Sequence, residues 1–512
     1  MEIEVTEQFR QAINLIEQGK RNVFITGRAG TGKSTLLRYL RTVTSRKTVV
    51  LAPTGVSALN VQGQTIHSFF RFKPDITADK VKKVIRSEKN NIYQKLDTII
   101  IDEISMVRAD LLDCVDRFMQ VNCSKRLPFG GKQMLFFGDP YQLPPVITPN
   151  EKKIFRGKYK TGYFFSAAVM ENISFDILEL DRIFRQKDAG FIEILNAIRN
   201  KTVTEDMLTV LNGRYMPSFE PEEDSFYISL TTRNSAALSI NETRLAKLPG
   251  REHLFEAQVR GKFEQSAYPT DELLRVKENA QVMLLNNDSR KRWVNGSIGR
   301  IITVIPENDT ILVQLEKGEV VDVTPHEWDI FRYTYNPDAD KIETEQVGYF
   351  KQYPLRLSWA VTIHKAQGKT FDNVILDIGA GAFTPGQVYV GLSRCVSLDG
   401  LVLKKKIRKN DVFIDLNVVK FMTQYRYDIS EKEMPLEEKI EKIKDAIRTK
   451  AEMEIVYLKS SDEKSVRIIL PEYVGKLEYM GKTFIATRAF CLKSREERVF
   501  RVDRILSLRI LV

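Results

Sequence analysis

Cysteine is scarce, four in 512 residues, and Cys114, Cys123, Cys395 and Cys491 show no paired metal-ligand spacing. So few thiols in so long a chain make no disulfide framework, so reduced cysteines and no structural zinc are expected. Long apolar runs are also lacking, which excludes a membrane-spanning helix. The opening Met1-Glu-Ile-Glu-Val5 has neither the basic start nor the apolar block of a signal peptide, so a cytoplasmic location is expected. There is no internal repeat and no low-complexity tract. A composition of 43% hydrophobic and 28% charged residues excludes a wholly disordered or fibrous chain, and the length implies about three to four folded units.

What is present is basic charge. Lys and Arg number 78 against 67 Asp and Glu, a net +11 that favours a polyanionic partner. Residues 71–95 concentrate it, with Arg71, Lys73, Lys80, Lys82, Lys83, Arg86, Lys89 and Lys95 against Asp75, Asp79 and Glu88. The same run also fits an ordinary solvated helix face.

Periodicity gives an amphipathic first helix (Val5, Phe9, Ala12, Ile13, Ile16), then short apolar runs at 22–26, 48–52, 98–102, 133–138 and 175–180. Helical or irregular segments separate these runs, the pattern of a parallel α/β sheet. A second strand series at 226–230, 373–377 and 400–404 is interrupted over 272–348 by short β runs and turns such as Asn295-Gly296, read as a small inserted barrel. Beyond Asp415 come a charged stretch at 430–433, a helix with Leu436, Ile440, Ile443 and Ile447 on one face, and short strands.

Gly27-Arg-Ala29-Gly30-Thr31-Gly32-Lys33-Ser34 is a P-loop between a strand and a helix. Its glycines allow a turn with inward amides, so that residues 27–35, Thr35 included, can cradle phosphates. Lys33 can reach the outer phosphates and Ser34 can hold Mg²⁺. Thr98-Ile-Ile-Ile101 delivers Asp102 and Glu103 at a strand end. Asp102 is placed to hold Mg²⁺ through water and Glu103 to activate the attacking water; alternatively the two acids cap the next helix. A third strand ends at Gly138-Asp139-Pro-Tyr-Gln142, where a neutral amide can report the γ-phosphate. Arg185 and Arg394, each after an apolar segment, fit arginine fingers across a cleft, or plain surface arginines.

These motifs in this order resemble a superfamily-one helicase, and more closely the petite-integration-frequency (Pif) helicases and their RecD relatives. The residues carrying the resemblance are Ala52-Pro-Thr-Gly-Val-Ser-Ala58, Gly63-Gln-Thr-Ile-His-Ser-Phe69, Asp102-Glu-Ile-Ser-Met106, Pro128-Phe-Gly-Gly131 with the Gly138 loop, the 191–199 segment, and Ile363-His-Lys-Ala-Gln-Gly-Lys-Thr370. The resemblance runs from about residue 6 to about 410. It implies an α/β protein of two RecA-like parallel-sheet lobes with ATP between them and single-stranded DNA across their top. It further implies a wedge in the first lobe, a small Src-homology-type β-barrel in the second, and 5′ to 3′ movement. It assigns strand contacts to Pro53, Thr54, Gly55, His67, Ser68, Phe69, Thr232, Asn234, His364 and Lys365, and a nucleotide contact to Gly368. The residue types suit this, since hydroxyls, imidazoles and an amine donate to phosphate while Phe69 offers a face to a base; His67 alone also fits a satisfied core histidine. An adenine-recognising glutamine ahead of the P-loop is implied too, with Gln8 and Gln11 the candidates.

The expected domains are a first lobe at 1–180 with the wedge at about 71–95, a second lobe at 181–271 and 349–415, the barrel at 272–348, a linker and helix at 416–449, and a β-rich domain at 450–512. The last resembles a WYL domain through 454–458, 467–471 and 498–505, with Thr483-Phe484-Ile485 near the place of the naming triplet. Arg467, Arg488, Arg498, Arg501 and Arg504 there fit an anion-binding face or salt-bridged surface arginines. The expected ligands are ATP, Mg²⁺, and single-stranded and tailed duplex DNA, with G-quadruplexes or RNA–DNA hybrids as further templates. No membrane partner is expected, and the protein is expected to work as a nucleoid-associated monomer.

Overall fold

A computed structural model describes the chain apart from residues 1–4, 20, 85–90, 148–150, 152–154, 156, 187, 223–224, 262, 460–463, 480–481 and 512. It divides into two compact units, Met1–Leu195 with Glu205–Val412, and Asn196–Thr204 with Phe413–Val512.

The first unit opens with helix α1 (Glu7–Gln18). Thr6 caps it by accepting from the Phe9 amide, left-handed Gly19 ends it, and Phe9, Ala12 and Ile16 are buried. Six parallel strands follow: β1 (Asn22–Gly27), β2 (Thr48–Ala52), β3 (Gln64–Thr65), β4 (Thr98–Ile101), β5 (Gln133–Phe137) and β6 (Phe175–Leu180). They lie in the order β3-β2-β4-β5-β1-β6. All but the two-residue β3, too short to show periodicity, were expected. On one face Val23, Ile25, Ile100, Leu135 and Phe137 pack against α1 and against Leu36, Leu37 and Leu40 of helix α2 (Lys33–Val43), and on the other Phe24 and Phe136 meet Phe164, the two-sided burial a parallel sheet requires. Because the strands run one way, the segments leaving β1, β4, β5 and β6 all emerge at one sheet edge, where α/β ligands sit.

The basic stretch at 71–95 is not one solvated helix. It contains a 3₁₀ turn (Ala78–Lys80) and a short helix (Ile92–Lys95), and the Val84 amide is tied to Oδ1 of buried Asn122 at 2.9 Å. Arg86, Glu88 and Lys89 lie outside the described residues.

A second parallel sheet has the order Ala360–Thr362, Ile228–Thr231, Val374–Asp377, Leu401–Leu403. Its edge strand Ala360–Thr362, three residues long, was not expected from the sequence. The inserted β unit is a five-stranded antiparallel sheet around Val282, Leu284, Trp293, Ile301, Val313 and Val323. Its fifth strand, Leu355–Leu357, lies beyond the expected boundary at 348. That boundary falls inside a long hairpin, His326–Asn336 and Lys341–Gln352, which pairs with Gln258–Gly261 rather than with the five-stranded sheet. The hairpin reaches the first lobe: the Val50 amide donates to Tyr333 Oη at 3.1 Å, the Tyr333 amide donates to Gln64 Oε1 at 3.2 Å, and Lys47 pairs with Asp340 at 2.6 Å.

Where the inserted unit meets the second lobe, Asn373 Nδ2 donates to Glu316 Oε1 at 3.3 Å. Burial first, and then the nearby Asp372 carboxylate, push the Glu316 pKa up to about 7. A carboxyl group raised in the folded state stabilises the fold at low pH and loses that contribution as pH rises through the folded value. Glu316→Gln keeps the acceptor and removes the charge. It is expected to raise the melting temperature at pH 8 and change it little at pH 5, measured by thermal unfolding at both.

In the second unit the strands run Glu496–Arg501, Lys482–Cys491, Lys464–Tyr479, Met453–Leu458, Ile505–Ile510 in an antiparallel sheet. Two of them have ten and sixteen residues, longer than the short strands expected. Ile443 and Ala446 of the helix Leu436–Thr449 pack on Met453, Ile455, Ile469 and Phe500, as the spacing of Leu436, Ile440, Ile443 and Ile447 implies. The expected linker at 416–449 begins with an eighteen-residue helix, Leu416–Glu433. Its low amphipathicity hid it. Buried Lys439 donates to Ser430 Oγ at 2.6 Å, and Ser430 also bonds the Ile505 and Leu506 carbonyls, tying this helix to the sheet.

Candidate nucleotide site and strand-contacting surface

The segment leaving β1 is the P-loop. Gly30 has φ +82°, and a Cβ there would stand 2.6 Å from Arg185 Cβ, so only glycine fits the turn and the approach of the 181–186 connection. Lys33 Nζ donates to the Gly27 and Arg28 carbonyls at 2.7 and 3.0 Å, which holds the amine inside the loop it serves. Ser34 is exposed in the first turn of α2, and Thr35 is half-buried behind it.

The segment leaving β4 delivers Asp102, buried, and Glu103, half-buried. Glu103 has φ +49°, ψ +45°, a left-handed conformation costing about 1–3 kcal/mol in a non-glycine residue and characteristic of functional sites. Burial, and then the Glu103 charge, push Asp102 up to about 7, and burial likewise raises Glu103 against the pull of Lys33 and Arg394. Asp102 forms no ion pair among the described residues. An uncompensated buried carboxylate and an exposed serine hydroxyl are the hard oxygen donors that suit Mg²⁺. From the β5 exit come Asp139 and Gln142, with Gln142 Nε2 3.4 Å from Asp139 Oδ2.

The opposite wall belongs to the second lobe. Arg394 is fully buried, donating to the Val390 and Lys369 carbonyls and Ser393 Oγ at 2.8 to 3.2 Å. Arg185 Nη1 donates to the Ser393 carbonyl at 3.1 Å, so the two guanidiniums share one neighbour. Neither makes a carboxylate ion pair among the described residues. Burial lowers both, Arg185 to about 10, and Arg185 further depresses Arg394, while Glu103 and Asp139 act the other way. Buried Arg394 and half-buried Arg185, two mutually repelling cations with no carboxylate partner among the described residues, face the P-loop and form a site suited to polyphosphate. The surface-arginine alternative does not hold for either.

Three residues in or near the marked segments were not singled out by sequence. Gln367 Nε2 donates across the cleft to Glu103 Oε2 at 3.1 Å and Gln142 Oε1 at 3.2 Å. The Tyr389 hydroxyl accepts from the Ala29 amide of the P-loop at 3.0 Å. Phe184, 41% exposed, lies beside Gly32 with the Arg182 guanidinium 4.8 Å over its ring. All stand within five residues of a residue the sequence marked, but spacing does not say which of those side chains crosses the cleft. At the contact of the lobes Gly386 (φ +74°) is the second glycine that matters, since a Cβ would meet the Tyr141 carbonyl at 2.5 Å.

Of the two glutamines, Gln8 is engaged: Nε2 donates to the Glu179 carbonyl at 3.0 Å and Asp181 at 3.2 Å, and Oε1 accepts from the Asp181 amide. Its neighbour Phe9 touches the P-loop at Gly32, whereas Gln11 is exposed.

The implied strand contacts are mixed in character. Thr54 is exposed and caps the short helix Gly55–Asn60, between half-buried Pro53 and Gly55. Ser68, Asn234, Lys365 and Gly368 are exposed, and Thr232, His67 and His364 half-buried. Burial lowers the pKa of both histidines, so they are neutral donors near pH 7. Phe69 departs from expectation. It is 5% exposed and enclosed edge-on by Phe70, Tyr93 and Tyr333, so its faces meet protein rings rather than an open stacking surface. Hydrophobic packing of the hairpin residue Tyr333 explains this. In the second unit Arg498 pairs with Glu496 and Arg501 with Asp503, the salt-bridged alternative. Arg488 stands 5.9 Å from the Tyr473 ring centre, and Arg504 Nε has no hydrogen-bond partner among the described residues.

A parallel-sheet lobe bearing a P-loop, faced by a second parallel-sheet lobe that brings buried arginines to the same edge, defines a two-lobed nucleoside-triphosphatase of the RecA-like class. The family model described as PIF1-like helicase matches residues 2–213, and that of the WYL domain matches residues 438–510. The ATP-dependent DNA helicase Pif1 of Bdellovibrio bacteriovorus is 32% identical, over 83% of this chain and 93% of that one. The crystal structure of Bacteroides sp Pif1 in complex with ADP-AlF4 is 35% identical, covers 83% of this chain and 98% of its own, and has a TM-score of 0.76. Bacteroides Pif1 bound to ssDNA, 36% identical at the same coverage, has a TM-score of 0.61. The chain belongs to the PIF1-like helicase family.

Proposed function

We propose that this chain is an ATP-dependent DNA helicase, in which ATP hydrolysis between the two lobes drives movement along single-stranded DNA and separation of duplexes. The observation that carries the reading is the convergence of Lys33, Glu103 and Gln142 from one lobe with Arg185, Arg394 and Gln367 from the other side of the cleft. The P-loop amides and Lys33 bind the phosphates. Glu103 takes a proton from the water attacking the γ-phosphorus, Gln142 orients that water or the γ-phosphate, and the two arginines stabilise charge developing on the transferred group. Ser34 and Asp102 would hold Mg²⁺, which would supply further neutralisation of the phosphates. Gln8 and the Phe184 face fit the base of the nucleotide.

Closing on ATP and reopening after hydrolysis shifts one lobe against the other, and with it the implied strand contacts Thr54, His67 and Ser68 against Thr232, Asn234, His364 and Lys365. Movement is 5′ to 3′ in this proposal. Tailed duplexes are the substrate class, with G-quadruplexes and RNA–DNA hybrids as further templates. One chain carries both lobes, so a monomer suffices, acting at the nucleoid. ATP-dependent unwinding of two fluorescent partial duplexes, one with a 5′ tail and one with a 3′ tail, tests this. Opening of the 5′-tailed substrate alone is expected. Opening of the 3′-tailed substrate alone would reverse the polarity, and strand-stimulated ATPase with neither opened would leave a translocase.

A further inference from the structure

Tyr389 reaches from the second lobe into the P-loop, and the bond it makes closes a circuit beside the phosphate cradle. Its hydroxyl accepts from the Ala29 amide at 3.0 Å, and both residues are buried, so the oxygen satisfies a donor that solvent does not reach. The backbone carbonyl of Tyr389 in turn accepts from the Ser393 amide at 2.9 Å. Ser393 is where the two arginines converge: its carbonyl accepts from Arg185 Nη1 at 3.1 Å and its Oγ from Arg394 Nη2 at 2.8 Å. The circuit returns to the P-loop beside Arg185, where the Phe184 amide donates to the Gly30 carbonyl at 2.9 Å. Ala29 and Gly30, neighbours in the cradle, are thus joined to Ser393 by two routes, one through Tyr389 and one through Phe184 and Arg185.

The element that carries Tyr389 is enclosed. All residues of the helix Gln387–Leu392 are buried, and Gly386 before it packs on the Tyr141 carbonyl. A close-packed element of this kind moves as a body and transmits a displacement rather than absorbing it. Where the Tyr389 oxygen is held therefore decides where Ser393, and with it both guanidiniums, stand relative to the loop. Phenylalanine would fill the same space, so packing alone does not call for the hydroxyl.

We propose that Tyr389 is a positioning residue for ATP hydrolysis, whose hydroxyl sets Arg185 and Arg394 against the transferring phosphate by anchoring their common neighbour Ser393 to the P-loop. This role rests on the nucleoside-triphosphatase reading of the site. Its effect falls in the transition state, where charge developing on the transferring group makes the placement of the guanidiniums matter most.

Tyr389→Phe keeps the ring and removes the anchor. The kcat for ATP is expected to fall about tenfold, the upper end of what one hydrogen bond contributes, with KM within about twofold of wild type. Equilibrium titration reads the same loss without turnover: ADP with aluminium fluoride, which mimics the transferring phosphate, binds more weakly by that factor, whereas ADP alone binds as to wild type. In an Arg394→Ala background, where single-turnover hydrolysis gives the rate, Tyr389→Phe is expected to cost less than it does in the wild-type background, because the hydroxyl acts through the guanidiniums. Wild-type protein without ATPase activity would overturn the functional reading itself. An active wild type with an equally active Tyr389→Phe would overturn only the role of Tyr389. Equal weakening of ADP and of its aluminium fluoride complex would make Tyr389 a brace of the fold and overturn the positioning role, as would an undiminished loss of rate in the Arg394→Ala background.

Discussion

Lys33→Ala is expected to lower kcat for ATP hydrolysis by about 100-fold or more, equivalent to about 3 kcal/mol of lost transition-state stabilisation, while single-stranded DNA binding persists. The Lys33 amine lies inside the P-loop turn, held by the Gly27 and Arg28 carbonyls at the mouth of α2. Removing it takes a charge from the phosphates and leaves those carbonyls without their donor. Steady-state ATPase assays with oligonucleotide anisotropy alongside measure both quantities. A wild-type rate in the variant would displace the nucleotide site from the P-loop.

The second large effect is at Glu103. Glu103→Gln keeps the shape of the side chain and an oxygen that accepts from Gln367, so the cross-cleft bond survives and ATP still binds. What is lost is the proton acceptor, a loss of about 100- to 10,000-fold in kcat for a general base. A half-buried negative charge beside Asp102 and the incoming phosphates is removed at the same time, since Glu103 is among the groups that raise Asp102. ATP affinity is therefore expected to equal or exceed that of wild type, which equilibrium binding of a fluorescent analogue measures. Turnover at the wild-type rate would take the role of base away from Glu103.

Much of this architecture is legible in the chain because parallel strands are buried on both faces. Apolar runs such as Thr98-Ile-Ile-Ile101 and Gln133-Met-Leu-Phe-Phe137 need no alternation, and the polar residues that end them mark the functional edge of the sheet. Asp102, Glu103 and Gln142 were visible for that reason. Less legible was whatever depends on distant packing. The two-residue β3 and the edge strand Ala360–Thr362 are too short for a periodic signal. The helix Leu416–Glu433 carries so weak an apolar stripe that it passed for a linker.

At the site, the arginines were found but not their burial, because no local pattern predicts that Arg394 loses all contact with solvent when the second sheet closes over it. Phe69 shows the opposite failure. An aromatic beside hydroxyls suits a stacking platform, yet Tyr333, 264 positions further along the chain, encloses it. Gln367 lay in plain sight inside a motif and Tyr389 five residues before Arg394, but only the cross-cleft distances distinguish them from their neighbours.

The most direct test of the motor is the rate of ATP hydrolysis by the full chain at saturating Mg·ATP as a single-stranded oligonucleotide is titrated in. A rise that saturates with oligonucleotide and disappears in Glu103→Gln is the predicted result, since strand contacts and hydrolytic acid share one two-lobed unit. A rate indifferent to DNA, or a DNA-stimulated rate that persists without the Glu103 carboxylate, would contradict it.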